Sequence, residues 1–238
     1  MACASSGPLL RLPISGGDEP WRVPESELGT QRLFRVRLSS PEGRGRFRLL
    51  LRLDSLERYR IDATHPLFNR RLWSLSVGDG EALLVDYLQK AHCRYHGEIE
   101  VAAVPLGPFA FGTFPALLLG YLPAAPVTIK RNTDEVLEYL DADERRWLVV
   151  REDGGVKGWQ LWRTADSSPV TWRKEGSWFT LSSPDDELFL RWRETVRETS
   201  PEGPRPLSVP DGSRDGPCDM GWIRGVEGTL ADSDGIDE

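Results

Sequence analysis

Residues 46–53 read Arg-Phe-Arg-Leu-Leu-Leu-Arg-Leu, and this stretch decides the fold class of the 238-residue chain. Phe47, Leu49, Leu51 and Leu53 stand at alternate positions, and arginine fills three of the four positions interleaved with them. Because successive side chains of a β-strand point to opposite faces, this period of two predicts a strand with one apolar face and one charged face.

The same alternation continues on both sides of that stretch. Phe34, Val36 and Leu38 alternate with arginines, and residues 58–63 repeat the pattern before a hairpin signal at Gly78-Asp79-Gly80. About ten or eleven short strands follow one another, with little helix between them. The chain is therefore predicted to be mainly β, an open antiparallel β-barrel that carries a short α-helical lid or plug.

A sheet of this size curls as strand twist accumulates, and curling creates an interior. The more common arrangement in small barrels is a closed core that the protein fills with its own side chains. A cavity in the same place would need a lid. In either case we expect the following large apolar side chains to line the interior: Phe47, Leu49, Leu51, Ile61, Trp73, Leu75, Leu188, Leu190 and Trp192.

A lid is predicted at residues 113–119, where Thr113 can cap a short helix and Gly120 can end it. Apolar residues lie on almost every side of this helix, which suits a plug in the mouth of a barrel better than a surface helix. The predicted lid side chains are Phe111, Phe114, Leu117, Leu118 and Leu119.

The charge distribution argues against nucleic acid as a partner. The formal net charge is −7, but residues 199–238 hold nine acidic residues and three arginines, so the rest of the chain is within one charge of neutral. A near-neutral body with an acidic tail offers no overall basic footprint for a phosphate backbone.

The composition divides the chain into three parts. Residues 1–20 are predicted to be a flexible tether, residues 21–198 the β-barrel domain, and residues 199–238 an acidic, disordered tail. Cys3 begins the sequence Cys-Ala-Ser-Ser-Gly and is a candidate lipid anchor, with a free cysteine as the alternative. If Cys3 carries lipid, Cys93 and Cys218 are left to pair in an oxidising compartment.

The sequence contains no nucleophile elbow, phosphate-binding glycine loop or His-Glu-x-x-His motif. His92 and His96 lie within a predicted strand without a third ligand in view, so they read as partly exposed histidines and not as metal ligands. We therefore expect a binding protein and not an enzyme, with no cofactor and no metal.

Tryptophan is concentrated in the C-terminal strands, at positions 159, 162, 172, 178 and 192. Exposed aromatic rings on a sheet can form a platform for glycans, although such rings also act as cross-strand packing partners. A second hypothesis therefore stays open, in which the protein is a non-transport envelope lipoprotein that serves as a glycan- or peptidoglycan-binding or structural module of a complex.

Three stretches resemble the LolB/LolA-like family of outer-membrane lipoprotein localisation proteins. They are residues 58–67 (Arg-Tyr-Arg-Ile-Asp-Ala-Thr-His-Pro-Leu), residues 84–86 (Leu-Val-Asp) before Tyr95, and residues 117–123 (Leu-Leu-Leu-Gly-Tyr-Leu-Pro). The resemblance covers mainly residues 46–126.

The resemblance implies an open barrel and a helical lid that enclose an apolar cavity for acyl chains. It implies an envelope lipoprotein that binds the acyl chains of lipoproteins or lipids and passes them to the outer membrane. The implied partners are acylated cargo, the membrane surface and a soluble periplasmic carrier, and the implied location is the periplasmic face of a bacterial outer membrane, with a lipid anchor.

The resemblance also implies a membrane or cargo loop, because the family carries an exposed leucine in a loop where this chain has Leu67. Phe68, Arg70 and Arg71 follow here, so the loop is more apolar and more basic than in the family. We expect its tip to dip into lipid while the arginines pair with head groups. The alternative is that Leu67 and Phe68 fold back onto the core.

Overall fold

The computed structural model describes residues 20–41, 43–96, 98–99, 109–153, 155–199 and 203–216. A short 3-10 helix spans Glu25–Glu27 and the α-helix α1 spans Thr113–Leu119. The strands are β1 (Thr30–Ser40), β2 (Gly43–Ser55), β3 (Arg58–Thr64), β4 (Arg71–Gly78), β5 (Glu81–Asp86), β6 (Ala91–His96), β7 (Glu98–Ile99), β8 (Phe109–Ala110), β9 (Thr128–Asn132), β10 (Val136–Leu140), β11 (Arg146–Glu152), β12 (Gly155–Trp162), β13 (Val170–Glu175), β14 (Trp178–Ser183), β15 (Leu188–Thr199) and β16 (Arg214–Asp215).

One curved 14-stranded sheet dominates the fold, in the order β16-β6-β5-β4-β3-β2-β1-β15-β14-β13-β12-β11-β10-β9. Neighbouring strands are antiparallel except β16, which runs parallel to β6. In the described part of the chain, the edge strands β9 and β16 are not bonded to each other, so the sheet is open.

The predicted fold class, an open antiparallel β-barrel with one short helix, is therefore confirmed. The strand number exceeds the expected ten or eleven because some strands carry no apolar alternation. β9 exposes four of its five residues and β16 has only two residues, so neither leaves the period-two pattern that marks a half-buried strand.

The inner face of the sheet, which we define as the face that contacts α1, holds the core. On the central strand β1, Phe34, Val36 and Leu38 point inward and are buried, while Arg35 and Arg37 point outward and are exposed. Equivalent inward positions on the other strands join them in a single apolar cluster with α1.

The segment 203–216 crosses the outer face of the sheet. Gly203 lies beside Asp54 of β2, Arg60 of β3 donates to the Arg205 carbonyl, and β16 pairs with β6. Between these points the outward-facing Leu83 and Val85 of β5 are only 6% and 1% exposed. Segment 203–216 thus contacts β2 and β3 and pairs with the edge of β6, while the division of the chain into tether, barrel domain and tail stays a prediction.

The remaining termini, residues 1–19 with the candidate anchor Cys3 and residues 217–238 with Cys218, lie outside the described residues. Cys93 on β6 is disulfide-bonded. Its neighbour His92 bonds through Nδ1 to the Ser213 hydroxyl and through Nε2 to the Asp215 carboxylate, each at 2.8 Å. The strand edge and these side-chain bonds together hold segment 203–216.

A charged cluster lies on the outer face around Asp62, a buried carboxylate on β3. It accepts hydrogen bonds from Arg52 at 2.7 Å, from Arg60 at 2.9 Å and from the Ser74 hydroxyl. Burial alone would raise the pKa of Asp62, but the hydrogen bonds from Arg60, Ser74 and Arg52 and the charge of Arg60 outweigh it. The pKa of Asp62 therefore lies below its ordinary value, and the ionised form stabilises the fold.

We expect Asp62→Asn to lower the free energy of unfolding near neutral pH by about 2–3 kcal/mol, because hydrogen bonds to a charged group are lost. The folded-state pKa of Asp62 is lowered, so its contribution is present above the unfolded-state pKa and disappears as pH falls through the folded-state pKa. Urea unfolding at a series of pH values should show the gap between wild type and variant closing on acidification.

Asp166→Asn is the control, because Asp166 is exposed in the loop between β12 and β13. A loss of stability that is equal in the two variants, or that does not change with pH, would contradict the role of Asp62.

Candidate functional site

The inner face carries a row of aromatic rings, one on each of the six consecutive strands β10 to β15. Neighbouring ring centroids are 5.1 to 6.1 Å apart, within the range of favourable aromatic contact. All the rings are fully buried except that of Phe179, which is half-buried. We call this row the aromatic ladder; it consists of Tyr139, Trp147, Trp159, Trp172, Phe179 and Trp192.

Three polar groups of the aromatic ladder have acceptors. The Tyr139 hydroxyl donates to the Ala124 carbonyl at 2.8 Å, and the Trp147 indole N–H donates to the Asp141 carboxylate at 2.8 Å. The Trp192 indole N–H donates to the carbonyl of Leu118 in α1 at 3.0 Å. Burial, with the nearby Asp141 charge, raises the pKa of Tyr139 far above its ordinary value, so this hydroxyl stays protonated and remains a donor.

Two groups of the aromatic ladder are unpaired. The indole N–H groups of Trp159 and Trp172 are buried, and neither has a hydrogen-bond acceptor among the described residues. A buried donor without an acceptor costs free energy, since it has given up its bond to water. The middle of the ladder therefore offers two neighbouring donors, on rings whose centroids are 6.1 Å apart, to a ligand that brings oxygen atoms.

The helix α1 packs against the end of the aromatic ladder formed by Trp172, Phe179 and Trp192. Besides its bond to Trp192, its C-terminal Gly120 lies so close to the sheet that a Cβ atom there would be 2.9 Å from the Phe179 ring and 3.5 Å from the Trp172 ring. At the other end, the Tyr59 hydroxyl donates to the Phe111 carbonyl at 2.7 Å. The predicted lid side chains Phe111, Phe114, Leu117 and Leu118 are buried against the inner face, and Leu119 is partly buried against it.

Packing and not helical propensity keeps α1 in place. A helix of seven residues with Pro115 in its first turn is far shorter than the ~12–15 residues at which an isolated helix becomes marginally stable. After the helix, the Leu122 amide donates to the Pro20 carbonyl at 2.8 Å. The position of α1 thus depends on apolar contacts, and another apolar chain could make similar contacts with the sheet.

All nine predicted lining residues face the inner side. Eight of them are buried in the core cluster, and Phe47 is half-buried against it. In this closed arrangement α1 and the side chains of the sheet cover one another. An acyl chain could therefore reach the aromatic ladder only if α1 moved away.

Sequence reasoning missed Tyr139, Trp147 and Phe179, and it left Trp159 and Trp172 open to an outer platform. Both of these tryptophans lie inside, which leaves Trp162 and Trp178 on the outer face. There Trp162 packs against Arg146 and Trp178 against three arginines, including Arg191 at 4.4 Å. The five C-terminal tryptophans therefore do not form the continuous outer stripe that a glycan platform needs. The alternation of apolar residues could have revealed them. Leu137 lies two residues before Tyr139, and Val149 lies two residues after Trp147, so each pair points to the same, inner face.

The loop between β3 and β4 presents an apolar tip, formed by Leu67 and Phe68, which are 77% and 72% exposed. His65 organises the turn: its Nδ1 accepts the backbone N–H groups of both residues, at 3.2 and 3.4 Å, and its ring stacks on Phe68 at 4.9 Å. Arg70 and Arg71 follow the tip and are exposed. We call Leu67 and Phe68 the apolar tip.

In the described residues, no helix is both long and apolar enough to cross a membrane. No group of three histidine, cysteine, aspartate or glutamate side chains there is arranged to hold a metal ion.

No protein-family model and no curated protein sequence matches this chain. Solved structures similar to it include a LolA superfamily protein from Nitrosomonas europaea, at 12% identity, with 79% of this chain and 90% of that chain covered and a TM-score of 0.47. They also include a domain from Vibrio parahaemolyticus, provisionally described as an outer membrane lipoprotein-sorting protein domain, at 9% identity, with 72% and 85% covered and a TM-score of 0.47.

A DUF1329 family protein from Desulfovibrio piger is similar at 7% identity, with 72% and 85% of the two chains covered and a TM-score of 0.48. The first of these structures belongs to the same family group that the three sequence stretches resemble.

The seat of α1 can be tested with Gly120→Ala. The left-handed backbone of Gly120, at φ +88, costs alanine about 1–2 kcal/mol, and the clash with Phe179 should remove at least about 1 kcal/mol more. The matched control is Gly176→Ala, at φ +58 with no atom within 4 Å, which should show only the backbone cost. Thermal or urea unfolding measures both, and equal losses would mean that α1 is not held against the aromatic ladder.

Proposed function

We propose that this protein binds the acyl chain of a lipoprotein or lipid on the aromatic ladder, in the place that α1 occupies in the closed state, and releases it to a membrane. The single observation that carries the proposal is a continuous apolar inner face, with one short helix packed against it and two unpaired N–H donors among its aromatic rings.

The energetics favour reversible exchange. An acyl chain gains about 0.8 kcal/mol for each CH₂ it buries, and α1 gives up comparable apolar contacts when it leaves. Because one apolar partner replaces another, the net free-energy difference between closed and loaded states is small compared with either contact alone. A carrier needs such a balance, since it must release its cargo as well as hold it.

The unpaired indole N–H groups of Trp159 and Trp172 supply the polar end of the site. An ester or amide carbonyl of an acylated cargo could accept from them once α1 has moved, and their desolvation penalty would then be repaid on loading. The site thus favours a chain that ends in an oxygen acceptor over a plain hydrocarbon. No reaction is needed, and the proposed role is binding and transfer without a cofactor.

The apolar tip supports release at a membrane. Exposed Leu67 and Phe68 can enter the boundary between head groups and acyl chains, with Arg70 and Arg71 beside the phosphates. We propose in addition that the protein acts at the periplasmic face of a bacterial outer membrane, where Cys3 anchors it. A soluble carrier would deliver the cargo to it.

The donor pair can be tested with dodecanoate, which carries an acceptor, and dodecylamine, which carries none, as competitors of a fluorescent fatty-acid probe. Wild type should bind dodecanoate at least roughly tenfold more tightly, because a hydrogen bond to a charged group contributes ~1.5–3 kcal/mol. The double variant Trp159→Phe, Trp172→Phe should lose this preference, whereas a packing defect alone would weaken both ligands alike.

Trp162→Phe is the matched control, since Trp162 lies on the outer face and should leave the preference intact. If neither competitor displaces the probe from the wild-type protein, acyl binding is wrong. The remaining function would then be a structural module of the cell envelope.

The apolar tip can be tested with Leu67→Glu, Phe68→Glu. We expect unchanged unfolding, because both side chains are exposed, and at least a tenfold loss of probe transfer from the loaded protein to phospholipid vesicles. Val127→Glu is the control, as Val127 is a 69% exposed apolar residue outside the loop. Transfer at the wild-type rate by the loop variant would exclude the apolar tip from delivery.

A further inference from the structure

The outer face of the sheet carries an unusual set of cross-strand neighbours on β2, β1 and β15. Two adjacent rows each contain three arginines, in the registers Arg48–Arg35–Arg193 and Arg46–Arg37–Arg191. We call these six side chains the arginine belt. Their alternation with buried residues such as Val36 and Trp192 places them outside.

The arginine belt contains four directly opposed pairs of like charges, since both Arg35 and Arg37 face an arginine on each side. Like charges opposite each other on neighbouring strands destabilise a sheet. Among the described residues, no member of the belt forms an ion pair with a carboxylate, although the chain as a whole has a net charge of −7. The repulsion between these arginines is therefore not neutralised by carboxylates of the described residues.

Three of the six arginines of the belt pack on one aromatic ring. Trp178 on β14 lies under the guanidinium groups of Arg37, Arg191 and Arg193, at 5.6, 4.4 and 4.7 Å. The Nε atoms of Arg191 and Arg193 are buried in this packing without an acceptor. Glu175, across from Trp178 on β13, is exposed. Arg35, Arg37 and Arg46 are exposed on this face, so their guanidinium groups are open to solvent.

The belt continues towards the apolar tip. Arg48 is paired with Thr64 on β3, Thr64 is paired with Arg71 on β4, and the loop that carries the tip begins at the next residue, His65. In the next outward pair after Arg37 and Arg191, Ser39 of β1 faces Phe189 of β15, and the Phe189 side chain is 45% exposed. Basic and apolar groups thus share one end of the outer face.

We propose that the arginine belt is a docking surface for an anionic phospholipid membrane, which the outer face contacts while the apolar tip inserts. Six arginines on one sheet face match a layer of lipid phosphates, and clustered basic residues attract anionic leaflets. The apolar tip and Phe189 favour a membrane over a soluble polyanion, because a nucleic acid gives no burial to exposed leucine and phenylalanine at this place. The inference shares the membrane of the proposed function but needs no acyl site.

The test is sedimentation of the full chain with vesicles of phosphatidylcholine, alone or mixed with phosphatidylglycerol. Wild type should bind the anionic vesicles at least tenfold more tightly at low salt, and added NaCl should remove the difference. The belt variant Arg35→Gln, Arg37→Gln, Arg46→Gln should lose at least tenfold of this binding. Its thermal stability should hold or rise, because like-charge repulsion is removed.

The matched control Lys130→Gln, Arg131→Gln, Lys157→Gln removes three charges from exposed positions on β9 and β12 and should bind within twofold of wild type. Equal binding by the belt and control variants would overturn the proposal. So would wild-type binding that ignores lipid charge, or full competition by a single-stranded oligonucleotide at equal phosphate concentration, which would make the belt a general polyanion site.

Fatty-acid probe binding by the same proteins separates the two proposals. If the wild-type protein binds no probe but the belt variant still loses vesicle binding, the arginine belt is supported and the acyl site is refuted. Probe binding without any preference for anionic vesicles would refute the belt alone.

Discussion

The antiparallel pairing of β1 with β15 is the contact on which the rest of the structure depends. It joins the β2–β6 half of the sheet to the β9–β14 half, although the two strands lie far apart in sequence. Because side chains alternate, one register sets both faces at once: Trp192 turns inward to end the aromatic ladder, while Arg191 and Arg193 turn outward to complete the arginine belt. A slip by one residue would expose the tryptophan and bury two charges.

The fold class could be predicted from the sequence because period-two alternation is a local signal, strong at Phe47, Leu49 and Leu51. The inward direction of the lining residues and the short helix before Gly120 follow from the same local patterns. The strand β16 could not be predicted, since it pairs through backbone atoms at the edge of β6 and needs no apolar side chain. The arginine belt was hidden too, because a count of charges carries no information on register.

In the proposed role, the candidate site combines two requirements that compete. The inner face must be apolar enough to hold hydrocarbon, yet it must not stand open to water, where it would promote aggregation. In this chain α1 lies on the inner face and buries its own leucines and Phe114 in the core cluster. The two unpaired indole groups are the residual cost of that arrangement, since a helix whose own N–H and C=O groups bond each other has few acceptors to offer them.

The aromatic ladder also gives the protein an intrinsic optical reporter. Trp147, Trp159 and Trp172 stand ring against ring, so their absorption and near-ultraviolet circular dichroism arise from coupled chromophores and not from isolated ones. Trp192 joins the row through Phe179, and its indole is bonded to α1 itself. Any excursion of the helix therefore changes the polarity around a tryptophan at the end of a coupled chain, and the movement can be followed in real time without attaching a dye.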